Sequence, residues 1–197
     1  MDKDKMSKSL GNFITIRDVL KDYDAEVLRF FLLSSHYRSP LIYTTEALLQ
    51  SRNALTRFYT ALRFLPPAKK PDDTKYEKDF IAAMDDDFNT PIAISILFDL
   101  AHEIQRMREQ DVNKAASLAA LLKYLASIIG LLERDTELFF KASDSVDADK
   151  VEQLILQRQK AREEKNWAEA DKVRNELAAM NVVIEDGAEG TTWKVMK

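Results

Sequence analysis

Over most of this chain, apolar side chains recur at the three- and four-residue spacing of a helix. Leu48, Leu55 and Leu62 stand seven apart, joined by Phe58 and Leu65. Ile92, Ile96, Leu97, Leu100, Ile104 and Met107 make a second set, and Leu118, Leu122, Leu125, Ile129 and Leu132 a third. Such spacing lines each set along one helix face, and helices so marked must cover one another's stripes. With 4 Gly and 5 Pro among 197 residues, little interrupts them. The constraint is a mainly α chain whose cores are built helix on helix.

Punctuation places the elements. Thr15-Ile16-Arg17-Asp18 has the form of a capping box, opening a short helix through Tyr23. Asp24 can cap the next helix, with Val27, Leu28, Phe31 and Leu32 on one face. His36 to Pro40 reads as an extended connector, because Pro40 disfavours helix at Ser39. Thr44 or Thr45 starts the helix of the first leucine stripe. Pro66 to Asp73 reads as a linker, followed by a short amphipathic helix carrying Phe80, Ile81 and Met84. Asp85-Asp86-Asp87-Phe88-Asn89 breaks that helix, and Thr90-Pro91 restarts one as cap and first-turn proline. Asp111 can cap the helix of the third set, and 142–149, rich in Ser and Asp, is a second linker. The tail changes character. Residues 150–165 and 168–180 read as two helices bent at Asn166-Trp167, and Val182-Val183-Ile184 and Thr191 to Val195 as strands of a hairpin. The expected organisation is a loop with connecting helices (1–70), a helical bundle (71–141), a linker (142–149) and a small α+β module (150–197). A module of that size is marginal as an independent core and is expected to lean on the bundle or on a ligand.

Composition removes several function classes. The chain has no Cys, so disulfides, thiolate chemistry and zinc–thiolate sites are absent from it. His36 and His102 are its two imidazoles and lie far apart in sequence, which argues against a transition-metal site. No apolar run approaches the roughly 20 residues of a membrane span, and without a basic-then-apolar stretch no secretory signal is expected. Net charge is −4, unevenly shared. Residues 1–70 carry 12 Lys and Arg against 7 Asp and Glu, residues 71–149 carry 8 against 17, and residues 150–197 carry 9 against 9. A uniform field attracting phosphate is therefore missing. Any RNA contact must come from the basic first third and from local arrangements in the tail.

Two clusters invite chemistry. Lys5-Met6-Ser7-Lys8-Ser9-Leu10-Gly11-Asn12 places two compact ammonium charges and two hydroxyls in a run that can grip a polyphosphate. Charges of this kind act most strongly on negative charge developing in a transition state. The plainer alternative is a solvated basic terminus. Asp85-Asp86-Asp87 could hold a cation, but adjacent carboxylates between helices more often cap and solvate.

The run Lys5 to Asn12 resembles the nucleotide-binding loop of class I aminoacyl-tRNA synthetases. Asp24-Ala25-Glu26-Val27-Leu28-Arg29 is similar to a segment near the helical domain of several class I synthetases. Two further stretches are similar to the cysteinyl-tRNA synthetase family: Ala83 to Pro91, and the tail Asn166 to Arg174 with Ile184 to Gly187 and Gly190 to Trp193. The resemblance implies ATP, with Mg²⁺, as a substrate contacted by Lys5, Ser7, Lys8 and Ser9, with Lys8 the principal lysine and Lys5 assisting. It implies tRNA(Cys) as partner, with Arg162, Trp167, Asp171, Arg174 and Asp186 as candidates for reading the anticodon. Those side chains are chemically suited to that role, since arginine donates or stacks, aspartate accepts from amino and imino groups, and an indole stacks on a base. The alternative, from chemistry alone, is that Arg162, Asp171 and Arg174 pair with one another while Trp167 and Trp193 fill the core. The family's catalytic half, with an H-I-G-H-type motif and a zinc held partly by cysteine, has no counterpart in these residues. The chain alone is therefore expected to be inactive in forming cysteinyl-adenylate. A cytoplasmic location and a monomeric state complete the expectation. An amino-sugar-directed cysteine ligase would share the loop but have no use for the tail, and a free-standing RNA-binding or interaction module remains as the non-enzymatic alternative.

Overall fold

The computed structural model describes residues 14–72, 74–141, 148–187 and 190–195. These fall into two compact units, one ending at Glu133 and one beginning at Arg134.

Among its described residues the first unit has helices and no strand. It comprises α1 (Ile16–Asp22), α2 (Ala25–Leu33), α3 (Thr45–Leu62), α4 (Lys75–Asp85), α5 (Thr90–Arg108) and α6 (Val112–Ile128). Side-chain caps start them where the punctuation indicates. Thr15 and Asp18 form the reciprocal capping box of α1. Asp24, Thr44, Thr74 and Asp111 each accept from a backbone N–H in the first turn of α2, α3, α4 and α6. The α5 start is one residue earlier than expected: Asn89 is its cap position, without a side-chain cap bond, and Thr90 is already helical. Core side chains are Phe30 and Phe31 on α2, Leu48, Leu55, Phe58 and Tyr59 on α3, and Leu97, Leu100 and Ile104 on α5, with Leu121, Leu122 and Leu125 on α6. Three expected core residues lie outside instead. Leu32 is exposed while Phe30 is buried, Ile81 is exposed while Phe80 and Ala83 are buried, and Ile92 is exposed while Ala93 and Ile94 are buried. Each shift is a rotation of the buried face by a residue or two, set by which neighbour the helix meets.

Polar side chains tie the helix ends together. Glu26, buried on α2, accepts from Tyr59 Oη at 2.8 Å and from the Leu132 N–H at 2.7 Å. Arg29, one turn along, donates to the Gly130 carbonyl at 2.7 Å. The segment 24–29 thus caps its own helix and clamps the chain that leaves α6. Gly130 sits at φ +70°, and a Cβ there would come to 3.0 Å from Arg29 Nη1, so the clamp needs glycine at this turn. Arg108, the last residue of α5, donates to the Arg63 and Ala61 carbonyls at 2.8 and 3.0 Å, placing a cation on the negative end of α3. Residues 36–40 are not extended as expected. They close a turn through Ser39 N–H to His36 O at 2.8 Å. Tyr37 Oη and Arg38 Nε both reach the Asp87 carboxylate, at 2.7 and 2.8 Å.

The second unit contains α7 (Thr136–Lys141), α8 (Ala148–Glu163), α9 (Trp167–Ala179), β1 (Val182–Gly187) and β2 (Gly190–Val195). The sequence pattern gives no sign of α7. Its six residues are too few to show a helical period, and it packs on β2. β1 and β2 pair antiparallel, with Ile184 opposite Trp193 and Asp186 opposite Thr191. Val151, Leu154 and Ile155 of α8, Val173 and Leu177 of α9, and Val182 and Trp193 of the hairpin form one core. The mainly α fold with a terminal helical hairpin and β-hairpin is as the periodicity indicated.

Candidate nucleic-acid interface

α8 and α9 meet at a three-residue turn. Lys165 takes a left-handed conformation, φ +57°, and Asn166 N–H bonds the Ala161 carbonyl at 2.8 Å, the closing bond of a helix C-terminus. The Asn166 side chain then accepts from Glu169 N–H at 3.2 Å and starts α9. Trp167 is consequently the first residue of α9 and points outward, 61% exposed. With Arg158, Gln159, Arg162, Glu163 and Thr191 it lines a surface groove of about 350 Å³.

A carboxylate anchors one side of this groove. Arg158 donates to both oxygens of Asp186, Nη1 to Oδ1 and Nη2 to Oδ2, each at 2.9 Å. Arg162 Nη1 donates to Oδ2 at 3.0 Å, and Thr191 Oγ1 to Oδ1 at 2.7 Å. Two features bring these groups together. Arg158 and Arg162 are one turn apart on α8, and the hairpin register sets Thr191 opposite Asp186. The bonds from Arg158, then that from Thr191, hold the Asp186 carboxyl well below the usual carboxylate range, and the Arg162 charge adds to the effect. The sign follows from linkage. The cluster's contribution to stability is complete above the ordinary carboxylate range and is lost only as pH falls through the depressed value.

Of the five anticodon candidates, the structure gathers Arg162, Trp167 and Asp186 at one groove. Asp171 and Arg174 are exposed on α9, one turn apart, and Asp171 is near enough for its charge to act on Arg158. Arg162 bonds Asp186 rather than Asp171. The tryptophans part company: Trp193 is 1% exposed, its Nε1 donating to Glu152 at 2.8 Å, whereas Trp167 is outside the core. Arg158, Gln159, Glu163 and Thr191 also line the groove and were not among the candidates. Arg158 had a signal, standing four before Arg162; Thr191 had none until the strand register was known.

Lys5, Ser7, Lys8 and Ser9 lie outside the described residues. In the 85–87 run, Asp87 is engaged by Tyr37 and Arg38, and Asp86 accepts from Asn89 Nδ2 at 3.3 Å. Among the described residues no three His, Asp or Glu side chains gather as a metal would require.

Three family models match the chain in order. The class I (C) tRNA synthetase catalytic domain matches residues 1–53, the DALR domain 79–133, and the cysteinyl-tRNA ligase anticodon binding domain 148–193. The cysteine–tRNA ligase of Azotobacter vinelandii is 52% identical over 198 residues, covering 100% of this chain and 43% of that relative. Those of Pseudomonas aeruginosa LESB58 and Idiomarina loihiensis are each 53% identical, covering 98% of this chain and 42% of the relative.

The chain belongs to the cysteine–tRNA ligase family.

It spans less than half the length of these relatives. The DALR match runs from within α4 to the end of the first unit, and the anticodon-binding match takes in α8, α9 and most of the hairpin. The groove beside Trp167 lies wholly inside that last match. None of the described helices is long and apolar enough to cross a membrane.

Proposed function

We propose that this chain is the C-terminal part of a cysteine–tRNA ligase, which uses ATP to activate cysteine and attach it to tRNA(Cys). Residues 1–70 supply the ATP-contacting loop and connecting helices, the rest of the first unit a tRNA-binding bundle, and the second unit, from Arg134, the anticodon grip. Lys5 and Lys8, with Ser7 and Ser9, contact the ATP phosphates, their charges matched to a departing pyrophosphate. Mg²⁺ accompanies the nucleotide. Zinc belongs to the family's catalytic half, since this chain has no cysteine to hold it. The protein acts in the cytoplasm as a monomer.

The observation that carries this reading is the groove. An exposed indole beside an arginine of 47% side-chain exposure, inside the segment matching an anticodon binding domain, offers a stacking face and a donor edge to an unpaired base. Asp171 and Arg174 extend the polar surface along α9. The test is binding of the chain to a tRNA(Cys) transcript and to one with a changed anticodon base. The unmodified chain is expected to prefer the first. Trp167→Ala should weaken binding about 5- to 150-fold, the cost of one lost stack, and Arg174→Ala should relax the preference. Equal affinity for both transcripts in the unmodified chain would remove the claim.

The chain by itself is expected to form no cysteinyl-adenylate. Cysteine- and ATP-dependent pyrophosphate exchange by the purified chain would overturn that. A free-standing RNA-binding module of the same ancestry is the weaker reading, because residues 1–53 match the catalytic-domain model.

A further inference from the structure

We infer that Arg158 is a positioning residue of the groove: through its two parallel bonds to Asp186 it sets the carboxylate that holds Arg162 and Thr191, so that the base-facing edge is arranged before RNA arrives. The inference rests on the anticodon reading above and adds to it a residue that touches no base.

Exposure divides the two arginines. The Arg158 side chain is 12% exposed and that of Arg162 47%. Arg158 engages both oxygens of Asp186 at 2.9 Å, the planar fork-to-fork geometry that fixes a carboxylate in rotation as well as in place. Arg162 binds the same carboxylate with Nη1 alone at 3.0 Å. Guanidinium carries five N–H donors, so the outer edge of Arg162 keeps donors for a ligand. Thr191 contributes its hydroxyl at 2.7 Å from the facing strand. Asp186 therefore joins α8 to the hairpin, and Arg158 is the member that determines how it is turned. Without Arg158 the carboxylate can rotate, and the single bond from Arg162 no longer specifies one placement of its outer edge. A lysine at this position would keep the charge and lose the fork.

The test compares anticodon discrimination, the affinity ratio between a tRNA(Cys) transcript and the same transcript with one anticodon base changed. Arg158→Lys and Arg158→Gln are each expected to lower that ratio about tenfold, the scale of one well-placed polar contact to a base. The melting temperature of Arg158→Lys should stay close to that of the parent. The decisive arm is a double-mutant cycle. In an Asp186→Asn background, Arg158→Lys should change the ratio by less than about twofold, because its route of action is already gone. An undiminished ratio in both Arg158 variants would overturn the inference, as would multiplicative losses in the cycle, which would mean that Arg158 meets RNA itself. Should Arg158→Gln fail to fold, Arg158→Lys and the cycle decide the matter. Absence of discrimination in the unmodified chain would end the anticodon reading and this inference together; discrimination that survives in every variant ends this inference alone.

Discussion

Replacing Trp193 with alanine is expected to unfold the second unit while leaving the first intact. Trp193 is the largest side chain of a core whose other members are Val151, Leu154, Ile155, Val173, Leu177 and Val182. Truncating a buried tryptophan costs about 3–5 kcal/mol. A unit running from Arg134 to Lys197 has, at the usual stability per residue, only about 3–10 kcal/mol in total. The substitution also removes the donor that Glu152 accepts from at 2.8 Å, and the ring over which Lys141 lies at 5.0 Å from the centroid. Those contacts hold α7, α8 and β2 together from one side. Backbone amide NMR should show resonances of 148–187 collapsing into the unfolded range while those of 14–133 keep their dispersion. An unchanged spectrum for the tail, with an unchanged urea midpoint, would show that the core does not depend on Trp193.

Glu26→Ala is expected to destabilise the first unit by about 3 kcal/mol. Glu26 is 7% exposed, and its two oxygens accept from Tyr59 Oη and the Leu132 N–H. Alanine leaves the Leu132 N–H without that acceptor in a place poorly reached by water. It also frees the chain after α6 from α2 on one side of the Arg29–Gly130 bond. Glu26→Gln should cost less, about 1–2 kcal/mol, because the amide keeps one acceptor oxygen but turns its NH₂ toward a donor. Urea unfolding of the three proteins gives the ordering. Parent, Gln and Ala falling within about 0.5 kcal/mol of each other would mean that this buried carboxylate contributes nothing measurable.

Particular elements differ in how far they can be read without coordinates. The caps at Thr15, Asp24, Thr44 and Asp111 were legible because an N-cap is a local event, decided by a side chain and an N–H two or three residues away. The leucine stripe of α3 was legible because seven-residue recurrence has one structural meaning at that length. Leu32 and Ile92 were misplaced because periodicity names a face only to within a residue or two. Which edge of the stripe is covered depends on the neighbouring helix. The segment 36–39 reads as extended because the restriction at Pro40 concerns one residue, whereas the turn it forms is held by Asp87, about fifty positions away.

The candidate site divides the same way. Arg162, Trp167 and Asp186 could be named from the tail's family resemblance, and the structure sets Arg162 and Trp167 on one groove with Asp186 bonded to Arg162. Arg158 carried only the hint of standing one turn before Arg162, and Thr191 carried none, because strand register is a property of two segments. The contrast between Trp167 and Trp193 also lay beyond composition. The amino-acid order by itself determined a helical protein, its breaks and caps, its uneven charge and its family likeness, all of which are written in neighbours within a turn or two. Only tertiary packing decided that one tryptophan would be a core and the other an open face, and that Asp186 would be shared by two arginines. Burial and ion pairing are settled by which distant surfaces meet, and that information is held by no single stretch of the chain.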